Sequence, residues 1–473
     1  MTDAQETIAE ETGRWADIFT GRTGVYTFVL GLGMVLFAIN QFVVTTIMPT
    51  VLADLGGVDF YTWAFSLFAV GAIIGAASAN PLREAIGMRR AYAGAGLVLG
   101  LGLAGAALAP DMQTLVGWRL VQGIGGGAVA SQGYGLVAVA YPPHLRSRIL
   151  GVVSTLWGTA TIMGPGLGAA FAEPRLWRGA FLILLPLIVL FVLLVWRHVE
   201  DKGGHGRLSA IPYRRLALLT LAVFLMSGTS LTEALWLRGV LIVVSVAFAI
   251  LTFMLDARAE HNMFPRGATA VTTELGAVYW ILFLGSIVLA IINTYSTFYL
   301  QALHGVSPLV AGYLFAIQSI MWTVSALVVA TLPRSLETGC IVAGLFFILT
   351  GAVGIAVTVD SGPVVFIAVA IAMTGFGLGC INNPTIQRII AIVPEKENHM
   401  AGTSVQTIRN IGIAFGAAAS GMVAAAAGLS EGTGRDTVAM AMSWVYGVNA
   451  LFAVLALAMI IPMLVARRRT VAI

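Results

Sequence analysis

Arg119-Leu-Val-Gln-Gly-Ile-Gly-Gly-Gly127 places an arginine and an amide inside an otherwise apolar segment, and Gly158-Thr-Ala-Thr-Ile-Met-Gly-Pro-Gly-Leu-Gly168 follows as an apolar helix broken by glycine and proline. An arginine inside a membrane helix costs several kcal/mol unless it is paired or hydrated, so its default reading is functional. Two such segments side by side point to a moving, polar-lined helix bundle rather than a passive anchor.

Composition sets the medium. Of 473 residues, 58% are hydrophobic and 10% charged, against about 25% charged in soluble domains, and the mean hydropathy is +0.91. Apolar runs of about 18–25 residues recur along the chain, the length that spans a bilayer as a helix. The short alternating strands of a membrane barrel are absent. The chain therefore reads as all-α and polytopic.

Fourteen spans are expected: 24–48, 60–80, 90–110, 115–140, 148–171, 179–197, 213–231, 236–256, 274–300, 309–331, 337–358, 362–384, 401–427 and 440–465. With both termini inside, the inner segments hold 20 of the 26 basic residues, among them Arg83, Arg146, Arg148, Lys202, Arg207, Arg214, Arg215 and Arg467–Arg469. The outer loops hold Arg175, Arg178, Arg238 and Arg435. That bias sets the topology and accounts for the formal charge of +4 without a nucleic-acid partner. The first 23 residues are acidic and lack the basic start of a cleavable signal. Ile8, Trp15, Ile18 and Phe19 share one helical face there, which suits either a helix on the membrane surface or a solvated tail. Cys340 and Cys380 read as packing residues, and no motif calls for a metal or cofactor.

An internal repeat appears at an offset of 252 residues: Gly123-Ile-Gly-Gly-Gly127 aligns with Gly375-Phe-Gly-Leu-Gly379, Pro142 with Pro394, and Gly164 with Gly416. Two related six-helix halves follow, 24–197 and 274–465, with an unpaired helix pair at 213–256 between them and tails at 1–23 and 466–473. Duplicated halves are the architecture of many secondary transporters.

Several motifs, in the right order, resemble the major facilitator superfamily, specifically its fourteen-span drug:proton antiporter group. The loop Asn80-Pro-Leu-Arg-Glu-Ala-Ile-Gly-Met-Arg-Arg90 matches the family's cytoplasmic signature at Leu82, Gly87, Arg89 and Arg90. Glu84 stands where aspartate is usual, and Asn80 and Ala85 depart from the pattern. Arg119, Gln122, Gly123 and Gly125 match the arginine motif. Gly151, Gly164, Pro165 and Gly168 match the antiporter motif, with Ala160 and Ala169 replacing glycines. The run Phe298–Pro308 with Ala311-Gly312 resembles a junction between two core helices of the group. The resemblance implies proton-coupled efflux of amphipathic organic compounds or drugs by alternating access. One departure bears on the coupling. The position nine residues before Pro49, usually an aspartate implicated in proton handling, is Asn40, and asparagine does not titrate.

Each marked residue has a functional and a plainer reading. Arg119 lies about six residues, roughly 9 Å, inside span four: it is a fixed charge holding a polar network with Gln122, or an arginine snorkelling outward. The glycines after it form a helix-packing face, since a phosphate loop needs a strand and a free helix N-terminus. Gly164, Pro165 and Gly168 form a pliable gate or an ordinary kink. Glu84, Arg89 and Arg90 form a charge-paired latch or simply mark the inner side. Arg409 attracts an anionic group, pairs with a carboxylate, or snorkels inward. Glu173 is a reserve proton site. Asn40, Gln41, Gln132, Tyr134, Trp157, Asn293, Tyr295, Tyr299, Gln318 and Trp322, with Asn382 and Asn383, are cavity candidates, about half of them expected to face it. A cavity rich in amides and aromatics suits amphipathic molecules.

The expected protein is a monomeric small-molecule carrier in lipid, in a bacterial cytoplasmic membrane, with protons as the expected coupling ion. An uncoupled facilitator or narrow-substrate metabolite exporter is the alternative, and a non-transporting receptor or scaffold is the alternative of another class. An enzyme is not expected: the six histidines fall in predicted loops, and there is no zinc motif or serine elbow.

Overall fold

The computed structural model describes residues 15–172, 176–201, 211–259, 262–394 and 398–471. Among them the regular structure is helical throughout. In the amino-terminal part the helices are α1 (Gly21–Leu55), α2 (Trp63–Ile86), α3 (Met88–Ala107), α4 (Met112–Ala140), α5 (Pro143–Ala172) and α6 (Trp177–His198). There follow α7 (Tyr213–Gly228), α8 (Leu235–Ala257), α9 (Glu274–His304) and α10 (Pro308–Ala330). The chain closes with α11 (Glu337–Thr358), α12 (Val364–Ile392), α13 (Asn398–Ala426) and α14 (Arg435–Ala458), which is continued by Ile460–Val471.

Twelve helices among the described residues are long and apolar enough to cross a membrane, fewer than the fourteen spans expected. The predicted spans 115–140 and 148–171 are helical, as α4 and α5, but are not among the twelve. These helices carry the arginine, amides, hydroxyls and glycines of the two motifs. Span six, expected as one helix, breaks between Leu182 and Leu185, with Pro186 in the first turn of the second piece, where its missing N–H costs nothing. In the amino-terminal tail, Trp15–Ile18 forms a single 3-10 turn. Ile8, Glu173, Arg175, Lys202 and Arg207 lie outside the described residues.

Helix ends follow local chemistry. Asp111 caps α4, accepting from the Thr114 N–H at 2.7 Å. That hydrogen bond holds its carboxyl below the ordinary aspartate value. The Phe298–Pro308 motif is a stop followed by a start. Gly305, at φ 64°, closes α9 in the left-handed conformation that glycine accepts freely. Ser307 then caps α10 through the Val310 N–H at 3.3 Å, with Pro308 as its first residue.

By packing, the chain divides into two compact units. One comprises Met1–Ile47 with Gly71–Pro212, the other Met48–Val70 with Tyr213–Ile473. In the first unit α3 packs on α4 and α6; in the second α11 packs on α12 and α14. The glycines of the repeat do the same work in both. A Cβ at Gly127 would collide with the Ala72 backbone of α2, and one at Gly379 with the Trp322 carbonyl of α10. Gly125 is pressed against Leu99 of α3, and Gly377 against Gly344 of α11. Gly164 abuts Phe42 of α1; a Cβ on Gly416 would stand 2.9 Å from Ala290 of α9. Small residues at such positions let membrane helices approach backbone to backbone.

The helix pair α7–α8 belongs to the second unit. Its α7 packs on α13. Its α8 is the outer helix, with 17% of its apolar window buried against 44% for α7. Leu235, Trp236 and Val243 of α8 are strongly exposed, as suits a lipid-facing surface.

Candidate functional site

In the first unit the arginine motif forms a closed polar knot. Arg119 is 2% exposed. Its Nη1 donates to Gln122 Oε1 at 2.5 Å, and Gln122 Nε2 donates to the Gly102 carbonyl of α3 at 3.0 Å. Gly102 has no side chain because Gln122 fills its place: a Cβ there would stand 2.7 Å from Gln122 Cγ. The sequence spacing of three puts arginine and glutamine on one helix face. The close α3–α4 approach supplies the acceptor. Arg119 is therefore a buried, held charge and not a snorkelling one. The glycines after it lie mid-helix and face α1, α2 and α3, which leaves no helix N-terminus for a phosphate.

The antiporter motif packs on α1. Pro165 lies inside α5, and Cβ atoms at Gly164 and Gly168 would meet Phe42 and Thr46 respectively, the latter at 2.8 Å.

Around the α2–α3 loop the charges pair differently from the expected Glu84-centred latch. Glu84 accepts from Asn80 Nδ2 at 2.9 Å, and Arg83 also donates to Asn80, so the off-pattern asparagine bridges the helix's own charges. Arg89 Nε instead donates to the Val199 carbonyl at 2.8 Å, and Arg90 lies 3.6 Å from Asp201. Gly87 adopts φ 88°, and a Cβ there would collide with the Asp201 carboxylate. Arg22 pairs with Glu200. The segment after α6 thus supplies the acceptors. It lies more than a hundred residues from the motif, so the motif alone gave no signal for it.

In the second unit Arg409 donates from Nη1 to Asn382 Oδ1 at 2.8 Å and lies over the Trp322 ring at 4.8 Å from its centroid. Such a cation over an indole face is attracted by the ring quadrupole. These three residues, all marked in the sequence, border a small open pocket that Ser286, Leu289 and Ile381 also line. A second buried arginine was missed. Arg388 Nε donates to Glu274 at 2.7 Å, and its Nη1 reaches Thr338 Oγ1 at 3.1 Å and Glu337 at 3.7 Å. This network ties the starts of α9 and α11 to the end of α12.

The remaining cavity candidates divide between the units. In the first, Asn40 is 1% exposed, and neither its amide nitrogen nor its oxygen meets a hydrogen-bond partner among the described residues. Gln41 is half-buried, Trp157 stands edge-on to Phe37 at 6.0 Å, and Tyr134 is exposed. Gln132 is committed to packing, donating to the Ala79 carbonyl at 2.6 Å. In the second unit Tyr295 stacks on Tyr61 and Tyr299 stands edge-on to Tyr446 at 5.2 Å. Asn293 and Gln318 each keep one buried amide atom without a partner among the described residues. Asn383 accepts from Asn382 at 3.2 Å.

The chain is similar to known proteins along most of its length. A sequence profile of the Major Facilitator Superfamily matches residues 30–417. A protein of Mycobacterium tuberculosis named "Probable multidrug-efflux transporter" is 29% identical over 88% of this chain and 90% of its own length. The methylenomycin A resistance protein of Streptomyces coelicolor is 27% identical over 73% of this chain and 74% of its own. A crystallised peptide transporter in complex with alafosfalin superposes with a TM-score of 0.64 at 14% identity, over 91% of this chain and 93% of that one. This last likeness bears on the fold alone.

Proposed function

The chain belongs to the Major Facilitator Superfamily, and we propose that it exports amphipathic organic compounds, drugs among them, by alternating access of its two repeated halves. It is an integral membrane transporter of small molecules and not an enzyme. The observation that carries the proposal is the knot of Arg119, Gln122 and Gly102: a positive charge buried and clamped inside a membrane helix, in a chain related over most of its length to a named efflux transporter.

In this reading α4 and α5 also cross the membrane, giving fourteen spans, because helices of 29 and 30 residues exceed the length of about 20 needed. The halves are 24–197 and 274–465, with 213–256 inserted between them. Both termini lie in the cytoplasm of a bacterial cell whose cytoplasmic membrane holds the protein as a monomer. Arg409 on Trp322 and Asn382 anchors a polar or anionic end of the substrate, and Arg119 is the charge that responds during the cycle. Gly164, Pro165 and Gly168 let α5 flex against α1. Glu84, Arg89 and Arg90 steady the inner end of the first half.

Protons drive export in this reading. Asn40 favours the alternative, because a buried amide stands where the group usually has a titrating carboxylate. The two readings separate in proteoliposomes. Protein reconstituted with an imposed pH gradient and equal substrate on both sides should accumulate substrate against its gradient. If only an existing substrate gradient relaxes, the protein is a facilitator. Binding without flux makes it a receptor.

A further inference from the structure

The inserted pair α7–α8 is closed at one end by an ion pair and meets a hairpin of α1 and α2 at the other. At one end Arg215 pairs with the buried carboxylate of Asp256. Asp256 also accepts from the backbone N–H groups of Met263 and Phe264 at 2.8 and 3.0 Å. From there Phe253, Phe264 and Tyr279 form a chain of ring contacts onto α9, and the Tyr279 hydroxyl lies 2.5 Å from Ser404 of α13. A buried ion pair with its remaining lone pairs satisfied is costly to break, so it holds α7, α8 and the segment after α8 together.

The other end holds the hairpin Met48–Val70, the part of α1 and α2 that belongs to the second unit. Trp63 Nε1 donates to Ser230 Oγ at 3.1 Å, and the Ser66 and Ser227 hydroxyls are 3.1 Å apart. Ser230 also lies 2.9 Å from the Asp59 carbonyl, and Trp63 stands edge-on to Phe224 at 5.0 Å. The hairpin tip rests on the carboxy-terminal helices as well. Tyr61 stacks on Tyr295 at 5.6 Å, and Thr62 sits so close to Gly421 of α13 that a Cβ on the glycine would collide with it. These polar contacts are between neutral groups, and such hydrogen bonds are individually weak. Asp59, Thr62, Ser230, Tyr295 and Gly421 also border a small open pocket at this seat.

We propose that α7 is a fixed post and that Ser227 and Ser230 form a releasable catch for the hairpin, so that these serines are positioning residues for transport. The inference rests on the carrier reading above. Helices α1 and α2 continue from the hairpin into the first unit, so the catch opens and closes once per transport cycle. The ion pair braces α7 against α8, and the packing of α7 on α13 holds the post, while the contacts to the hairpin are neutral and can let go.

The test starts from a Cys340→Ala, Cys380→Ala background, which removes both native thiols. Ser66→Cys with Ser227→Cys is oxidised with copper phenanthroline, and the disulfide is read by gel shift after cleavage in the 202–210 segment. The expected result is a disulfide that lowers transport at least tenfold, leaves substrate binding in place, and is reversed by reductant; either single cysteine is insensitive to the oxidant. A complete disulfide with unchanged transport, or no disulfide at all, would overturn the inference. Absence of transport before oxidation, in the wild type too, would sink the carrier reading instead. As a second readout, Thr62→Cys should react at least threefold faster with a membrane-impermeant maleimide when Ser227 and Ser230 are alanine; an unchanged rate contradicts the catch.

Discussion

The two units share their packing but not their charges. At the repeat offset, glycines occupy matching helix contacts in both: Gly125 and Gly377, Gly127 and Gly379, Gly164 and Gly416. The charged residues do not repeat. Arg119 and Gln122 correspond to Ile371 and Thr374, and Arg409 corresponds to Trp157. At one corner the sign reverses. Arg22, which pairs with Glu200, corresponds to Glu274, which pairs with Arg388. Glycine at both members of each pair permits the same close helix approach in each unit, because backbone contact geometry sets the fold. Chemistry is placed on that scaffold separately, so one half carries a clamped charge in α4 and the other a guanidinium on an indole face.

The strongest attack on the shared packing is to fill it. Gly127→Leu and Gly379→Leu should each abolish folded protein in the membrane, since both meet backbone that has no room to move; fluorescence-detected size exclusion reads this. A monodisperse peak for one and not the other would show that the contacts are not equivalent. The asymmetry of charge is tested next. Arg119→Ala should eliminate transport with normal membrane insertion, whereas Ile371→Ala, at the corresponding position, should keep most of it. Equal losses would mean that Arg119 acts through packing alone.

Arg388→Ala should cost about 3–5 kcal/mol, because it strands two partly buried carboxylates, and should clearly lower the melting temperature in detergent. Arg22→Ala, in its exposed pair, should leave that temperature unchanged. Similar shifts for both would erase the distinction between the corners. A narrower effect is expected at Arg409→Ala: about a tenfold rise in KM for substrates bearing an anionic group, with little change for neutral ones. A uniform rise across substrates would remove Arg409 from the substrate contact.

Much of this was legible in the residues. Long apolar runs announced a helical membrane protein, because span length is a local property, and the spaced glycines marked close helix approaches. Arg119 with Gln122 was legible because the pair lies on one helix face. Arg409, Trp322 and Asn382 were each marked, but their meeting depends on three helices, and only the fold brings them together. The acceptors for Arg89 and Arg90 were hidden for the same reason: Val199 and Asp201 belong to another segment. Arg388 counted only as an inner charge, since Glu274 and Glu337 are far from it in sequence. The inserted pair was the least legible element. Ser227 and Ser230 look like ordinary helix-end residues until Trp63 and Ser66 lie against them.

The most direct test of the account is accumulation of a fluorescent lipophilic cation in efflux-deficient cells expressing the wild type or Arg119→Ala, with and without a protonophore. The account predicts lowered accumulation with the wild type, restored by the protonophore, and no lowering with Arg119→Ala at equal membrane abundance. Export by Arg119→Ala at the wild-type rate would contradict it.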